Sequence, residues 1–225
     1  MNKYSWPEKP GMTAFPIARP GFVFIGAAAF ATVLLAATGF CTLSLISLFL
    51  TFFICFFFRD PDRVIENKEG AISSPADGKV IFAELTDENP YFEGPCKKIS
   101  IFMSVFNVHV NRIPYNGTIT DIQYFPGKFV NASLDKASVE NEKNALIIET
   151  ETGETFATVQ VAGLVARRII CGVQPGDSVK RGTRFGLICF GSRLDMYLPV
   201  DTELSVKTGE KVQAGTTILG YMNEK

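Results

Sequence analysis

Cysteine is sparse and badly spaced for either of its structural uses. The 225 residues hold five, Cys41, Cys55, Cys96, Cys171 and Cys189, with no CxxC pair among them. An odd number at scattered positions excludes a disulfide framework and a zinc site, and points to buried thiols in a reducing compartment. An excess of charge of one sign is lacking as well: 22 Lys and Arg stand against 23 Asp and Glu, a net charge of −1. With no basic stripe and no interleaved aromatics, a nucleic-acid partner is excluded. Histidine occurs once, as His109. From Pro20 to Phe58 charge is absent altogether.

That run of about 40 residues is twice the ~20 that one helix needs to cross a bilayer. A break near Thr38-Gly39 would divide it into two helices, roughly 21–38 and 42–58. Lys3, Lys9 and Arg19 precede the run, and Arg59 and Arg63 follow it. Basic residues on both flanks place both ends in the cytoplasm, so residues 20–58 are expected to form a membrane-anchoring helical hairpin behind a cytoplasmic tail, 1–19. The spans are short and Phe-rich, which leaves an interfacial or re-entrant hairpin as the alternative. The run is too long and starts too late for a cleaved signal peptide. "RDPDR" (59–63) ends the second helix, because proline has no N–H to continue the ladder.

Residues 59–225 read differently. "KVIFAEL" (79–85), "KKISIFM" (97–103), "GTITDIQYF" (117–125), "NALIIET" (144–150) and "TFATVQVA" (155–162) are β-rich runs separated by Gly, Pro, Asn and Asp. Asn116-Gly117 and Thr152-Gly153-Glu154 are hairpin-type turns. The one stretch with a helical aspect, "VAGLVARRIICG" (161–172), is weakened by its two glycines and paired isoleucines. The expectation is a mainly β domain, α+β at most, built as an antiparallel sandwich or barrel. A repeat near the end, "GDSVKRGTRFG" (176–186) and "GEKVQAGTTILG" (209–220), has the Gly-x-x-Val-x-x-Gly form of lipoyl-carrier folds. No lysine sits at a hairpin tip between small or Met residues, so a swinging arm is not expected.

Three residues could carry chemistry. His109, in "FNVHVNRIP", shares a strand face with Asn107 and Asn111 if the alternation holds. Asp77, in "SPADGKV", is either an ordinary Asp-Gly turn or a polar group placed at the entry to the β domain. Ser192 follows Gly191 in "ICFGSRLDMYLP". A serine hydroxyl is a poor nucleophile until a base takes its proton, and a preceding glycine removes the Cβ that would hinder attack on its carbonyl. Such a serine can attack the Gly191 carbonyl, convert the amide into an ester and, after β-elimination and loss of ammonia, leave an N-terminal pyruvoyl group. That ketone can form a Schiff base with an amine and accept the electrons released by decarboxylation. The pattern by itself leaves a plain Gly-Ser turn open.

In order along the chain, "RDPDR" after an apolar hairpin, "SPADGKV", "FNVHVNR", "FGSRLDMYLP" and the closing Gly-rich repeat resemble the short form of the phosphatidylserine decarboxylase proenzymes. The resemblance implies self-cleavage between Gly191 and Ser192, giving a β chain, 1–191, and an α chain, 192–225, capped by a pyruvoyl cofactor derived from Ser192. It implies that Asp77 orients His109 and that His109 takes the serine proton. The α and β chains would form a heterodimer, with oligomers of that unit left open. Longer members carry two nearby histidines where this chain has only His109, so one ring serves twice or Asn111 or Arg112 covers the second role. Arg112, Arg193 and the Arg167-Arg168 pair are the candidates to meet the substrate phosphodiester. The implied activity is decarboxylation of phosphatidylserine to phosphatidylethanolamine at the cytoplasmic face of the cell membrane, with no metal. The alternatives are another serine-headgroup lipid as substrate, or a membrane-anchored carrier or binding domain without catalysis.

Overall fold

The computed structural model describes residues 4–8, 16–132, 140–164, 168–189 and 191–223. The chain divides into two compact units, residues 10–62 and the remainder.

The smaller unit is a helical hairpin, α1 (Gly21–Ala37) and α2 (Cys41–Phe57), joined through Gly39 at φ 80°. The break falls where the sequence placed it. Thr32 Oγ1 meets Ser47 Oγ at 2.8 Å and Thr51 Oγ1 at 3.3 Å across the hairpin, satisfying polar groups within an apolar pair. Most of the exposed large apolar side chains among the described residues lie between Phe22 and Phe56; Phe49 is 75% exposed. Each helix has 17 residues, a rise of about 25 Å. No helix among the described residues is long and apolar enough to cross a membrane. Two full spans are therefore not confirmed: the three residues 38–40 are spent on the turn, and each arm is shorter than the ~30 Å hydrocarbon.

The larger unit is antiparallel β structure. In chain order its strands are β1 (Tyr4–Ser5), β2 (Ile65–Glu66), β3 (Ala71–Ser73), β4 (Gly78–Thr86), β5 (Cys96–Met103), β6 (Val110–Arg112), β7 (Gly117–Phe125), β8 (Lys143–Glu149), β9 (Thr155–Val161), β10 (Ile169–Cys171), β11 (Ser178–Val179), β12 (Arg184–Ile188), β13 (Ser192–Pro199), β14 (Glu203–Leu204), β15 (Lys211–Val212) and β16 (Ile218–Tyr221). An eight-stranded sheet has the order β11-β7-β8-β9-β13-β5-β4-β15, and two three-stranded sheets run β10-β12-β6 and β14-β16-β3. Alternation along β13 sends Leu194, Met196 and Leu198 to one face of the large sheet, where they join Ile99, Ile101, Leu146, Ile148 and Phe156. Ile72, Phe185 and Leu219 of the small sheets complete this core. Burying each such side chain contributes about 1.5–3 kcal/mol.

The glycine repeat occupies both edges of the large sheet. Gly176 and Gly182 adopt φ 92° and 85°, and Gly209 and Gly215 adopt 100° and 74°. Each pair brackets a two-residue strand, β11 on β7 and β15 on β4, whose valine (Val179 or Val212) enters the core. The turn at Gly153 (φ 84°) joins β8 to β9 as a hairpin, as expected. Asn116-Gly117 does not make a hairpin: β6 pairs with β12, β7 pairs with β8 and β11, and Asn116 Oδ1 instead accepts the Arg181 N–H at 2.8 Å. In the stretch with a helical aspect, the described residues Ile169–Cys171 form strand β10, while 165–167 lie outside the described residues.

Candidate active site

Two strand pairings converge on the Gly191-Ser192 peptide. β13 pairs with β5 so that Ser192 stands opposite Met103. β12 pairs with β6 so that Leu187 stands opposite Val110, and the Ile188 N–H donates to the His109 carbonyl at 3.3 Å. The segment before β13 is thus held beside the segment after β5, and His109 is brought to Gly191 from 82 residues away.

The local geometry assigns the protons of His109. Its Nδ1 lies 3.0 Å from the Asn107 carbonyl oxygen, which can only accept, so Nδ1 carries the hydrogen. In the neutral ring Nε2 then has a lone pair, and it accepts the Gly191 N–H at 3.4 Å. That bond is long, and it leaves a basic nitrogen at the amide of the residue whose carbonyl is to be attacked. Ser192 Oγ donates to the Met103 sulfur at 3.4 Å. A thioether is a weak acceptor, so the hydroxyl proton is not committed to a strong partner. Both side chains are fully buried. Gly191 adopts φ 68°, a conformation that glycine enters without steric cost. Its carbonyl oxygen abuts Gly163, where a Cβ would lie closer than any real contact allows.

The implied Asp-His pair is not among the hydrogen bonds of the described residues. Asp77 Oδ2 accepts from Arg63 at 3.1 Å, and Oδ1 accepts the Ala214 N–H at 2.7 Å. The Nδ1 hydrogen that an orienting carboxylate would take goes to Asn107. The strand alternation proposed around His109 also fails. Residues 104–107 form a turn, with Asn107 N–H donating to Ser104 O at 2.9 Å and Asn107 Oδ1 accepting from Ser104 N and Oγ at 2.9 and 2.7 Å. Side-chain bonding of this kind competes with a strand ladder, and β6 starts only at Val110.

The residues assigned to the substrate are otherwise occupied. Arg193 forks onto Asp195, Nε to Oδ1 at 2.6 Å and Nη2 to Oδ2 at 2.8 Å, with both residues at most 2% exposed. Arg112 is buried and donates to the Gly182 carbonyl at 2.8 Å. Both guanidinium groups are thus engaged within the protein. Asn111 is buried near Ser192: its Nδ2 lies 3.8 Å from the same Met103 sulfur, and its Oδ1 accepts from Gln160 at 3.0 Å. Arg168 is exposed, and Arg167 lies outside the described residues.

A cavity of about 620 Å³ opens beside the site, lined by Asp77, Lys79, Phe102, Ser104, Phe106, Asn107 and Lys211 among others. Of these, only Asp77 was a candidate from sequence. The signal for the lysines was the echo of "DGKV" (77–80) in "GEKV" (209–212), which pair across the ladder. No group of His, Cys, Asp and Glu able to hold a metal ion occurs among the described residues.

A family model described as phosphatidylserine decarboxylase matches residues 50–220. The phosphatidylserine decarboxylase proenzyme of Desulfotalea psychrophila is 51% identical over 207 residues, covering 92% of this chain and 97% of that one. That of Syntrophus aciditrophicus is 50% identical, covering 91% and 96%, and that of Burkholderia ambifaria 48%, covering 92% and 97%.

Proposed function

The chain belongs to the phosphatidylserine decarboxylase family, and from that premise we infer that it is a proenzyme that cuts itself at Gly191-Ser192 and then decarboxylates phosphatidylserine to phosphatidylethanolamine. The observation that carries this reading is the His109 Nε2 lone pair at the Gly191 N–H, one residue before a buried Ser192 whose hydroxyl bonds only to sulfur among the described residues.

His109 takes the Ser192 proton as Oγ attacks the Gly191 carbonyl carbon. The amide C–N bond breaks, and Gly191 becomes an ester on Oγ. Removal of the α-proton of residue 192 expels the Gly191 carboxylate and leaves dehydroalanine. One water then enters and one ammonia leaves, giving a pyruvoyl group at the new N-terminus. The residues fit this group, since Ser192 heads a strand and Gly191 has the backbone freedom the rearrangement requires. Once formed at residue 192, that group would supply an electrophilic ketone able to accept the substrate amine and the electron pair released with CO₂. In this reading His109, which is fully buried, also returns a proton to the substrate α-carbon.

After cleavage the α chain, 192–225, stays with the β chain, 1–191, through strand pairing. β13 lies between β9 and β5, β15 borders β4, and β16 borders β3. The heterodimer is therefore expected to survive gel filtration and to separate only in denaturant.

The charge-free hairpin is the membrane anchor in this reading, with basic flanks that keep the catalytic unit on the cytoplasmic face. Its exposed phenylalanines suit insertion into lipid, and its short arms suit a hairpin that dips into the bilayer or lies at the interface.

Denaturing gels and intact mass test the reading. Wild-type protein should give two chains, the smaller blocked to Edman degradation, and should release CO₂ from phosphatidylserine. Ser192→Ala should give one inactive chain. Fully active protein with an unbroken chain would overturn the reading.

A further inference from the structure

The cavity beside Asp77 has an unusual wall. Lys79 and Lys211 stand directly opposite each other where β4 pairs with β15. Both are exposed, both line the cavity, and among the described residues neither is in an ion pair. Like charges directly opposite in an antiparallel ladder repel and weaken the pairing. The nearest acid in the lining, Asp77, is already engaged by Arg63 and the Ala214 N–H. The cavity therefore presents two uncompensated ammonium groups at the edge of the site.

The turn that forms another wall adds a neutral donor. Ser104 N and Oγ both donate to Asn107 Oδ1, which fixes the amide so that its Nδ2 hydrogens are left for a ligand. The Asn107 carbonyl holds His109 Nδ1. One residue thus belongs both to the cavity and to the catalytic ring. On the same turn Phe106 is 66% exposed. A second cavity, about 450 Å³, lies at the far end of β13 around Pro199 and Val200, but its lining carries Glu93, Glu154 and Asp201, which would repel an anion.

We propose that Lys79 and Lys211 form the subsite for the phosphodiester of the lipid substrate, with the Asn107 amide as a third donor. The inference rests on the decarboxylase reading. The volume lies within the usual range for small-molecule sites. Of the two anionic groups on a serine phospholipid, the phosphodiester is the one that persists through the reaction. A lysine paired with the departing carboxylate would stabilise the ground state and oppose loss of CO₂. Cations that hold the phosphodiester bind ground state and transition state alike, so they set KM and leave kcat unchanged.

The test uses full-length, processed protein and short-chain phosphatidylserine dispersed in neutral detergent micelles. Lys79→Gln and Lys211→Gln should each raise KM about 3–10-fold, and the double variant at least about 10-fold, with kcat within about twofold. Inorganic phosphate should compete with substrate in the wild type and lose that effect in the double variant. Lys79→Arg should restore most of the affinity, and Lys180→Gln, which removes the same charge elsewhere on the surface, should change nothing. Because a repulsive pair is relieved, Tm should hold or rise in the double variant, so a KM effect cannot be ascribed to unfolding. A double variant that processes fully and keeps the wild-type KM would overturn the subsite. So would a fall in kcat at constant KM, or an effect confined to vesicles containing anionic phosphatidylglycerol and absent in neutral micelles; that last result would assign the lysines to the bulk surface. Wild-type protein that neither cleaves nor releases CO₂ would instead overturn the decarboxylase reading itself.

Discussion

The carbonyl oxygen of Gly191 rests on the α-carbon of Gly163, in the loop that follows β9, with no room for a side chain between them. The carbonyl to be attacked is thereby held by a neighbour chosen for lacking a Cβ. Gly163→Ala should displace it, and displacement of a reacting carbon by about 1 Å can cost on the order of 10²-fold in rate. We expect precursor to accumulate, with cleavage slowed at least about 10-fold in a gel time course. Hydroxylamine cuts esters far faster than amides, so it should not rescue cleavage of this variant if ester formation is the blocked step. A cleavage rate within twofold of wild type would refute the role.

His109 and Asp77 should separate by what their loss does. His109→Gln keeps most of the side-chain volume but removes the base at Gly191, and processing should slow by at least about 100-fold. Asp77→Ala removes the acceptor of a charged hydrogen bond from Arg63 and of the Ala214 N–H. The expected cost is about 1.5–3 kcal/mol in urea unfolding, because bonds to charged groups are worth about that much. Ala214 belongs to the small chain, so a loosened α chain, detected by its earlier release in urea, should accompany the loss.

What could be read in advance follows from how local each signal is. β4, β5, β7, β8 and β9 lie within a residue or so of their sequence limits, because alternation and turn residues act over a few positions. The break at Gly39 and the repeated valines, Val179 and Val212, were visible for the same reason. The site was legible only as a set of residue types. His109 reaches Gly191 through two strand pairings that no local pattern encodes. Asn107 left the strand because its own side chain bonds the backbone of Ser104. Arg193 was one of several arginines that could meet the substrate phosphodiester; its partner two residues on, Asp195, shares its face of β13 and holds it.

That Arg193-Asp195 fork gives a third prediction. Arg193 is the second residue after the cut, and its bidentate grip pins the start of β13, which carries the new N-terminus. Arg193→Leu would strip a buried carboxylate of its bidentate partner, with Lys98 farther off at 4.0 Å. Breaking such a pair costs about 3–5 kcal/mol. Replacing both partners, Arg193→Leu with Asp195→Leu, removes the stranded charge, and much of the loss should return in urea titrations. If Arg193 met the substrate instead, the double variant would regain stability but show a raised KM once processed; the geometry predicts a KM close to wild type.

The same face of the large sheet should make the protein sensitive to alkali. Burial pushes the phenols of Tyr91 and Tyr197 well above their ordinary value of 10.0, with the Asp195 charge adding to the shift. Burial also raises the Cys96 thiol to about 11 from 9.0. Each group stays protonated in the folded chain at a pH where the unfolded chain has begun to release its proton. Their contribution to stability is thus complete below about pH 9, the unfolded value of the thiol, and is lost as pH climbs toward the folded values. Lys143 works in the opposite sense, since burial lowers its ammonium and deprotonation favours the fold, but the Cys189 thiol, also raised by burial, adds to the first set. Tm should therefore hold steady up to about pH 8.5 and fall progressively above pH 9. Tyr197→Phe keeps the ring that stacks edge-on with Tyr91 at 4.9 Å and deletes one titrating hydroxyl. Its Tm should fall less steeply between pH 9 and 11 than that of the wild type, and an equal slope in the two proteins would show that the buried phenol does not set the alkaline limit.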